Sequence, residues 1–242
     1  MEQFCYLLYY VLITLKIIPN IFTLLNLFCG CISIIFLQSK NFNYSAISTL
    51  FSIFFDFLDG FFSRLIKNEN LFGKELDSLA DMVSFGIVPS ITIFLLLEKK
   101  TPIPFIEYLS FFISIISAYR LAKFNISTHC KNDIVGLTTP VNTLFFSSLS
   151  IIIENYDIPK NIYLIAMLFM IFFSCYLLIS KIKMFSFNFK GLSWKKNKIR
   201  YIFLLISIFL LLTLHMKALP CIIICYIITS IYFHRLQQKN SH

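Results

Sequence analysis

Charged side chains are scarce in this sequence, at 14% of its 242 residues, and no polar stretch is long enough to build a domain outside a membrane. That scarcity excludes a water-soluble enzyme, a disordered chain, a single-span receptor and a nucleic-acid-binding tail, so no nucleic-acid partner is expected. The N-terminus lacks the basic region and small-residue cleavage site of a secretory signal, and Met1 to Ile18 is expected to form an interfacial or leading helix. Histidine is rare: His129, His215, His234 and His242 form no cluster. Seven cysteines are present, but Cys29, Cys31, Cys175, Cys221 and Cys225 lie in apolar runs and read as small buried residues rather than bridges. Cys29 and Cys31 would splay apart on a helix, with no histidine nearby to complete a zinc site. Internal repeats and low-complexity segments are also missing.

What fills the chain is apolar, 58% of it. A spanning helix takes about 20 residues, so eight would use roughly 160 and leave about ten per connection. Polar breaks place spans near Ile21–Leu37, Tyr44–Leu65, Leu76–Leu97, Ile103–Ala122, Thr139–Ile153, Asn161–Ile179, Tyr201–Leu214 and Ala218–Tyr232. The last two are short and are separated by His215, Met216 and Lys217, with Pro220 where a helix start tolerates it, which reads as a helical hairpin. The expected fold is all-α: a polytopic membrane bundle of about eight transmembrane helices, a six-helix core followed by a C-terminal pair.

Of the 21 Lys and Arg, 16 fall on one set of alternate connections and five on the other. The excess of positive charge inside then places both termini in the cytoplasm, in a multi-pass protein of a bacterial-type cell membrane. Seven of these charges lie between Lys181 and Arg200, which reads as topology and as anchoring to anionic lipids, the natural partner for a net charge of +9.

Against that background, in a chain with only 12 Asp and Glu, four aspartates fall in one window. Asp56 and Asp59 are three apart in an apolar helix; Asp77 and Asp81 are four apart in the next, so each pair shares a helix face. Ionised carboxylates near hydrocarbon cost several kcal/mol each unless paired or solvated, and four together also repel. Pairing with Arg64 or Lys74, or a helix end at the interface, is the plainer account of any one of them. Four at these spacings, with Gly60 and Gly73 interleaved, ask for a bound hard cation. Mg²⁺ in particular shares its shell with substrate phosphates.

Asp56-x-x-Asp59-Gly60-x-x-Ser63-Arg64, eight residues, then Gly73-x-x-x-Asp77-x-x-x-Asp81 resembles the signature of the CDP-alcohol phosphotransferase family. Ser63 stands where that family usually has Ala. Pro19 to Asn26, ending at Gly30, resembles the family's first-helix entry. Asp77 to Gly86 with Pro89, Tyr119 to Asn125, and Gly136-Leu137-Thr138-Thr139-Pro140 resemble the branch that makes phosphatidylserine from CDP-diacylglycerol and L-serine, with Lys123 where Arg is commoner and Thr138 where Pro is usual. The resemblance implies the fold of that family, with residues 1–190 as the catalytic membrane domain and 191–242 as a helical pair and cytoplasmic tail.

The resemblance further implies a cytoplasmic site in which Asp56, Asp59, Asp77 and Asp81 hold a divalent cation (Mg²⁺, Mn²⁺ or Ca²⁺) and Asp81 serves as general base. By the same token Gly60, Ser63, Arg64 and Gly73 line the CDP-lipid site, approached by Asn20, Thr23 and Asn26, and the chain is a homodimer. Free serine brings a carboxylate, and Arg120, at the end of an apolar run, suits bidentate capture of it, with Lys123 and Thr138 alongside. Thr139 caps the helix that follows, with Pro140 in its first turn. Two alternatives stay open. One is a sibling transferase acting on glycerol 3-phosphate or inositol phosphate, for which Arg120, Lys123 and Lys131 could supply a basic cluster. The other is an ion-coupled transporter, against which the interleaved glycines argue.

Overall fold

A computed structural model describes side chains over residues 17–66, 71–101, 103–126, 136–154, 159–182, 184, 207, 210, 212–213 and 218–232, and the helical backbone also over 2–16 and 233–240. Among these residues every regular element is helical. Five helices are long and apolar enough to cross a membrane, over Ile17–Gln38, Phe42–Ile66, Leu71–Lys100, Ile106–Ile126 and Lys160–Ile179. The protein is an integral membrane helix bundle. The expected seventh span, Tyr201–Leu214, lies almost wholly outside the described residues, as do Lys131 and the boundary at residue 190.

Helix α1 (Glu2–Gln38) runs without a break through Pro19, so the leading segment and the first span are one helix. It ends with Lys40 in the left-handed region (φ 54°). There the Asn41 amide donates to the Phe36 carbonyl at 2.9 Å and the Lys40 amide to that of Leu37 at 2.8 Å, which satisfies carbonyls the helix end would orphan. Asn41 then caps α2 (Phe42–Ile66), its Oδ1 accepting from the Tyr44 amide at 3.3 Å. This short turn makes α1 and α2 an antiparallel hairpin.

The hairpin is held by small polar residues. Thr23, Asn26, Gly30 and Ser33 recur at three- and four-residue spacing on α1, and Ser45, Ser48, Thr49, Ser52, Asp56 and Asp59 on α2. Ser33 Oγ meets Ser45 Oγ at 2.8 Å and Thr49 Oγ1 at 3.0 Å, and Ser48 donates to the Cys29 carbonyl at 3.1 Å. Where lipid removes the hydrophobic drive between helices, such residues allow close approach and supply hydrogen bonds.

The third span is a composite: α3 (Leu71–Asp81), a π-helical stretch (Met82–Ile87) and α4 (Val88–Lys100). Pro89, with no amide hydrogen to give, sits just past the π-helical stretch, where the normal ladder is already interrupted. The expected fourth span starts later than its hydropathy suggests. A 3₁₀ turn over Ile106–Phe111 follows Pro104 and a left-handed Phe105 (φ 69°), and α5 (Phe112–Ile126) runs four residues beyond Ala122.

Helix α6 (Thr139–Glu154) has 16 residues, α7 (Lys160–Ile179) has 20, and α8 (Ala218–Asn240) is apolar only as far as Tyr232. An apolar core of Leu37, Phe42, Ile93, Leu97, Ile113, Phe146, Tyr163, Met167 and Ile171 fills one end of the bundle. Phe51, Phe54, Phe57, Phe169 and Phe172 point outward, as a lipid-facing surface should. The acids lie at the opposite end.

Candidate active site

Helices α2 and α3 bring carboxylate oxygens of Asp56, Asp77 and Asp81 all within 4.8 Å of one another. Asp56 sits four residues after Ser52 on the inner face of α2, and Asp77 and Asp81 are one turn apart on α3, so helical periodicity alone aims the three at a common point. Asp81 is buried while Asp56 and Asp77 are partly open, as a site reached from one side requires. The donor set is hard, anionic oxygen, which suits a divalent cation of the Mg²⁺, Mn²⁺ or Ca²⁺ type. Arg64 and Lys74 are turned to other partners: Arg64 Nε donates to the Gly60 carbonyl at 2.8 Å and Lys74 Nζ to that of Asn125 at 2.6 Å. Ion pairing with Arg64 or Lys74, the plainer account of these acids, is therefore not what the fold uses.

Asp59 stands outside this trio. Thr23 of α1 donates to its Oδ2, so this buried carboxylate is turned toward α1 rather than toward Asp77 and Asp81. Asn26, fully buried, plays the matching part for Asp81: its Nδ2 donates to Asp81 Oδ1 at 3.2 Å. The orientation of that amide is itself fixed, because Ser52 donates to its Oδ1. The Asn26 backbone carbonyl accepts from Ser52 at 3.1 Å and from Ser84 at 3.2 Å. Ser52 and Ser84 were not anticipated as site residues. Their signal was the regular recurrence of serine in otherwise apolar helices.

The two motif glycines differ. A Cβ added at Gly73 would stand 3.0 Å from Asn20 Oδ1, so Gly73 lets α3 pack against the α1 residue expected near the site. A Cβ at Gly60 would meet nothing nearer than Arg64 Nη2 at 3.9 Å, which leaves open space on that exposed face. Ser63 is partly buried beside it, and Arg64 is exposed.

Immediately after Asp81, the π-helical stretch displaces backbone carbonyls from their usual partners, and hydroxyls from other helices take them up. Ser114 of α5 donates to the Gly86 carbonyl at 3.0 Å, and Thr143 of α6 to that of Phe85 at 3.0 Å. Helix α5 thereby packs along the third span, and its half-buried Arg120 interacts electrostatically with Asp81. Arg120 Nε finds no acceptor among the described residues. Lys123, expected beside it, is exposed and lies 5.9 Å over the Tyr119 ring. Thr138 is half-buried ahead of α6, its carbonyl accepting from the Asn142 amide at 3.1 Å. Thr139 and Pro140 are the first two residues of α6, so Thr138, whose carbonyl accepts that bond, holds the cap position expected for Thr139. That start is pinned by Gly136 (φ 74°), whose amide donates to Ile182 O at 2.9 Å, and by the Leu137 amide, which donates to Leu177 O at 2.9 Å.

A sequence profile described as CDP-alcohol phosphatidyltransferase matches residues 16–232. Among similar proteins, a CDP-diacylglycerol--serine O-phosphatidyltransferase of Helicobacter pylori is 30% identical over 200 residues, covering 81% of each chain. A protein of the same name from Bacillus subtilis is 30% identical over 170 residues, 69% of this chain and 88% of that one. An archaetidylserine synthase of Methanothermobacter thermautotrophicus is 31% identical over 134 residues, 54% and 56% of the two chains. The profile match covers most of the chain, so the chain belongs to the CDP-alcohol phosphatidyltransferase family and is a membrane-embedded transferase of that class.

Proposed function

We propose that this protein transfers a phosphatidyl group from CDP-diacylglycerol to the hydroxyl of L-serine, giving phosphatidylserine and CMP. The observation that carries the reading is the juxtaposition of two opposite features on neighbouring helices. Three carboxylates lie within 4.8 Å of one another, and on α5 a half-buried arginine, Arg120, interacts electrostatically with Asp81, its Nε without an acceptor among the described residues. The first suits a diphosphate with its cation; the second suits the carboxylate of an amino acid. The serine-specific names of the similar proteins agree with it.

The reaction is a displacement at phosphorus in which the serine Oγ–P bond forms, the P–O bond to CMP breaks, and CMP leaves with that electron pair. Asp56, Asp77 and Asp81, with Asp59 behind them, would hold the cation, which when bound neutralises charge on the diphosphate. Asp81 takes the proton from the serine hydroxyl, and its hydrogen bond from Asn26 keeps one oxygen fixed while it does so. Arg120 clamps the serine carboxylate, so the hydroxyl is presented to phosphorus rather than left to rotate. The open face at Gly60, with Ser63 and Arg64, receives the cytidine diphosphate, and Gly73 and Asn20 close its rim; Lys123 and Thr138 lie at the edge of the serine side.

On this reading residues 1–190 form the catalytic unit, residues 191–242 a helical pair and tail, and the chain works as a homodimer. Its termini and site face the cytoplasm, with the basic connections against anionic lipid. The test is a purified-protein assay of CMP release from CDP-diacylglycerol with Mg²⁺ and a panel of alcohols. Release with serine supports the reading; release only with glycerol 3-phosphate or inositol phosphate would assign the protein to another acceptor. Asp81→Asn is expected to abolish turnover while CDP-lipid binding persists.

A further inference from the structure

The last turn of α5 is tied to the first two turns of α3 by a compact set of bonds that the chemistry above does not use. Lys74 Nζ donates to the Asn125 carbonyl at 2.6 Å. Asn125 Nδ2 donates to Ser78 Oγ at 2.8 Å and lies 3.4 Å from Glu75 Oε1, and Ser78 donates back to the Lys74 carbonyl at 3.2 Å. A lysine in the first turn of a helix opposes that helix's own dipole. Here its ammonium is delivered instead to the Asn125 carbonyl in the last turn of α5, where the negative end of that helix's dipole lies. Lys74 is thus the C-terminal cap of a neighbouring helix.

The placement gives these bonds leverage. Asn125 follows Arg120 by five residues, about 7.5 Å along the axis, and Lys74 and Ser78 flank Asp77 and precede Asp81 on α3. Arg120 and Asp81 therefore ride on two helices joined where those helices leave the bundle. Serine's carboxylate and hydroxyl are separated by a short, nearly fixed span, so whatever fixes Arg120 relative to Asp81 also selects the length of the acceptor.

We propose that the Lys74–Asn125–Ser78 clasp gauges acceptor length, holding α5 against α3 so that a carboxylate at Arg120 and a hydroxyl at Asp81 fit L-serine and not its one-carbon-longer homologue. This rests on Arg120 as the carboxylate anchor and Asp81 as the base; Lys74 and Asn125 are positioning residues and touch no substrate.

The experiment compares CMP release by the full-length protein, with CDP-diacylglycerol and Mg²⁺, for L-serine and L-homoserine. The wild type is expected to prefer serine by about tenfold or more in kcat/KM, the usual worth of one methylene. Asn125→Ala and Lys74→Met are each expected to raise the serine KM by about tenfold and bring the serine-to-homoserine ratio toward one. The KM for CDP-diacylglycerol should stay within about twofold, and Lys74→Arg should restore the preference. Should Asn125→Ala fail to fold, Lys74→Met carries the test, because it leaves the Asn125 side-chain bonds in place. An unchanged ratio in a folded variant, or KM values for serine and CDP-lipid rising in parallel, overturns the clasp alone. A wild-type protein that releases no CMP with serine overturns the acceptor assignment instead, and the clasp with it.

Discussion

Asn26 Nδ2 donates to Asp81 Oδ1 at 3.2 Å, so one buried amide of the first helix sets the orientation of a carboxylate 55 positions away. Because Ser52 fixes the other side of the same amide, the donor cannot simply rotate away. Asn26→Leu should keep the packing volume and remove the donor. Loss of such an outer partner typically costs 10–100-fold in metal affinity or activity, and CMP release titrated against Mg²⁺ should show a loss in that range. Ser52→Ala should show a smaller loss of the same kind.

Removal of divalent metal with a chelator is expected to abolish CMP release, and Mg²⁺ or Mn²⁺ to restore it. Asp56→Asn and Asp77→Asn should each raise the metal concentration needed for half-maximal activity by tenfold or more, roughly one charged ligand's worth. Asp59→Asn should raise it less, because that carboxylate is turned to Thr23. Equal shifts for all three would place Asp59 in the same coordination shell.

Gly30 faces Ser84 so closely that an added Cβ would overlap its hydroxyl and stand 3.0 Å from its Cα. Gly30→Ala should therefore destabilise the bundle by about 1–3 kcal/mol through overpacking, visible as a lower melting temperature in detergent. Ser84→Ala relieves only the hydroxyl overlap, so the double variant should recover part of the loss, a non-additive result.

Gly136→Ala should cost about 1–2 kcal/mol for the left-handed backbone alone. It should cost more because the new methyl would face the Leu178 carbonyl at 2.8 Å and that of Ser180 at 3.0 Å. Since these contacts pin the start of α6, limited proteolysis near residue 136 should accelerate in this variant.

At the other end of the bundle, Lys40 and Glu98 pair at 3.8 Å with side chains 60% and 49% exposed. Glu98→Gln should change stability by less than about 0.5 kcal/mol and leave CMP release unaltered. A larger effect would give this surface pair a role its exposure does not suggest.

The long spans were legible because hydropathy acts residue by residue. Phe42–Ile66 follows its expected bounds within two residues at the start and one at the end. The carboxylates were legible because charge in an apolar helix needs a reason, and Asp56, Asp77 and Asp81 do converge. What escaped was partnership. Thr23 turning Asp59 toward α1, Ser52 and Ser84 holding Asn26, and Lys74 capping α5 each depend on which helix lies alongside. The π-helical stretch from Met82 to Ile87 escaped because its carbonyls are stabilised by Ser114 and Thr143, hydroxyls far away in sequence. Lys123 illustrates the converse: its neighbour in the motif, Arg120, is half-buried, while Lys123 itself is exposed against Tyr119.

Over its described residues helix α6 spans about 24 Å from 16 residues, while the hydrocarbon core is about 30 Å thick. Its first turn bears Thr139 and follows the anchored Gly136, so the shortfall can be taken up where α6 begins, at the carboxylate end. A bilayer that thinned around a short helix would draw the waterline down toward Asp81. A reactant carried by the lipid and one dissolved in the cytosol can then arrive at one depth, without the lipid lifting its chains out or the amino acid entering oil.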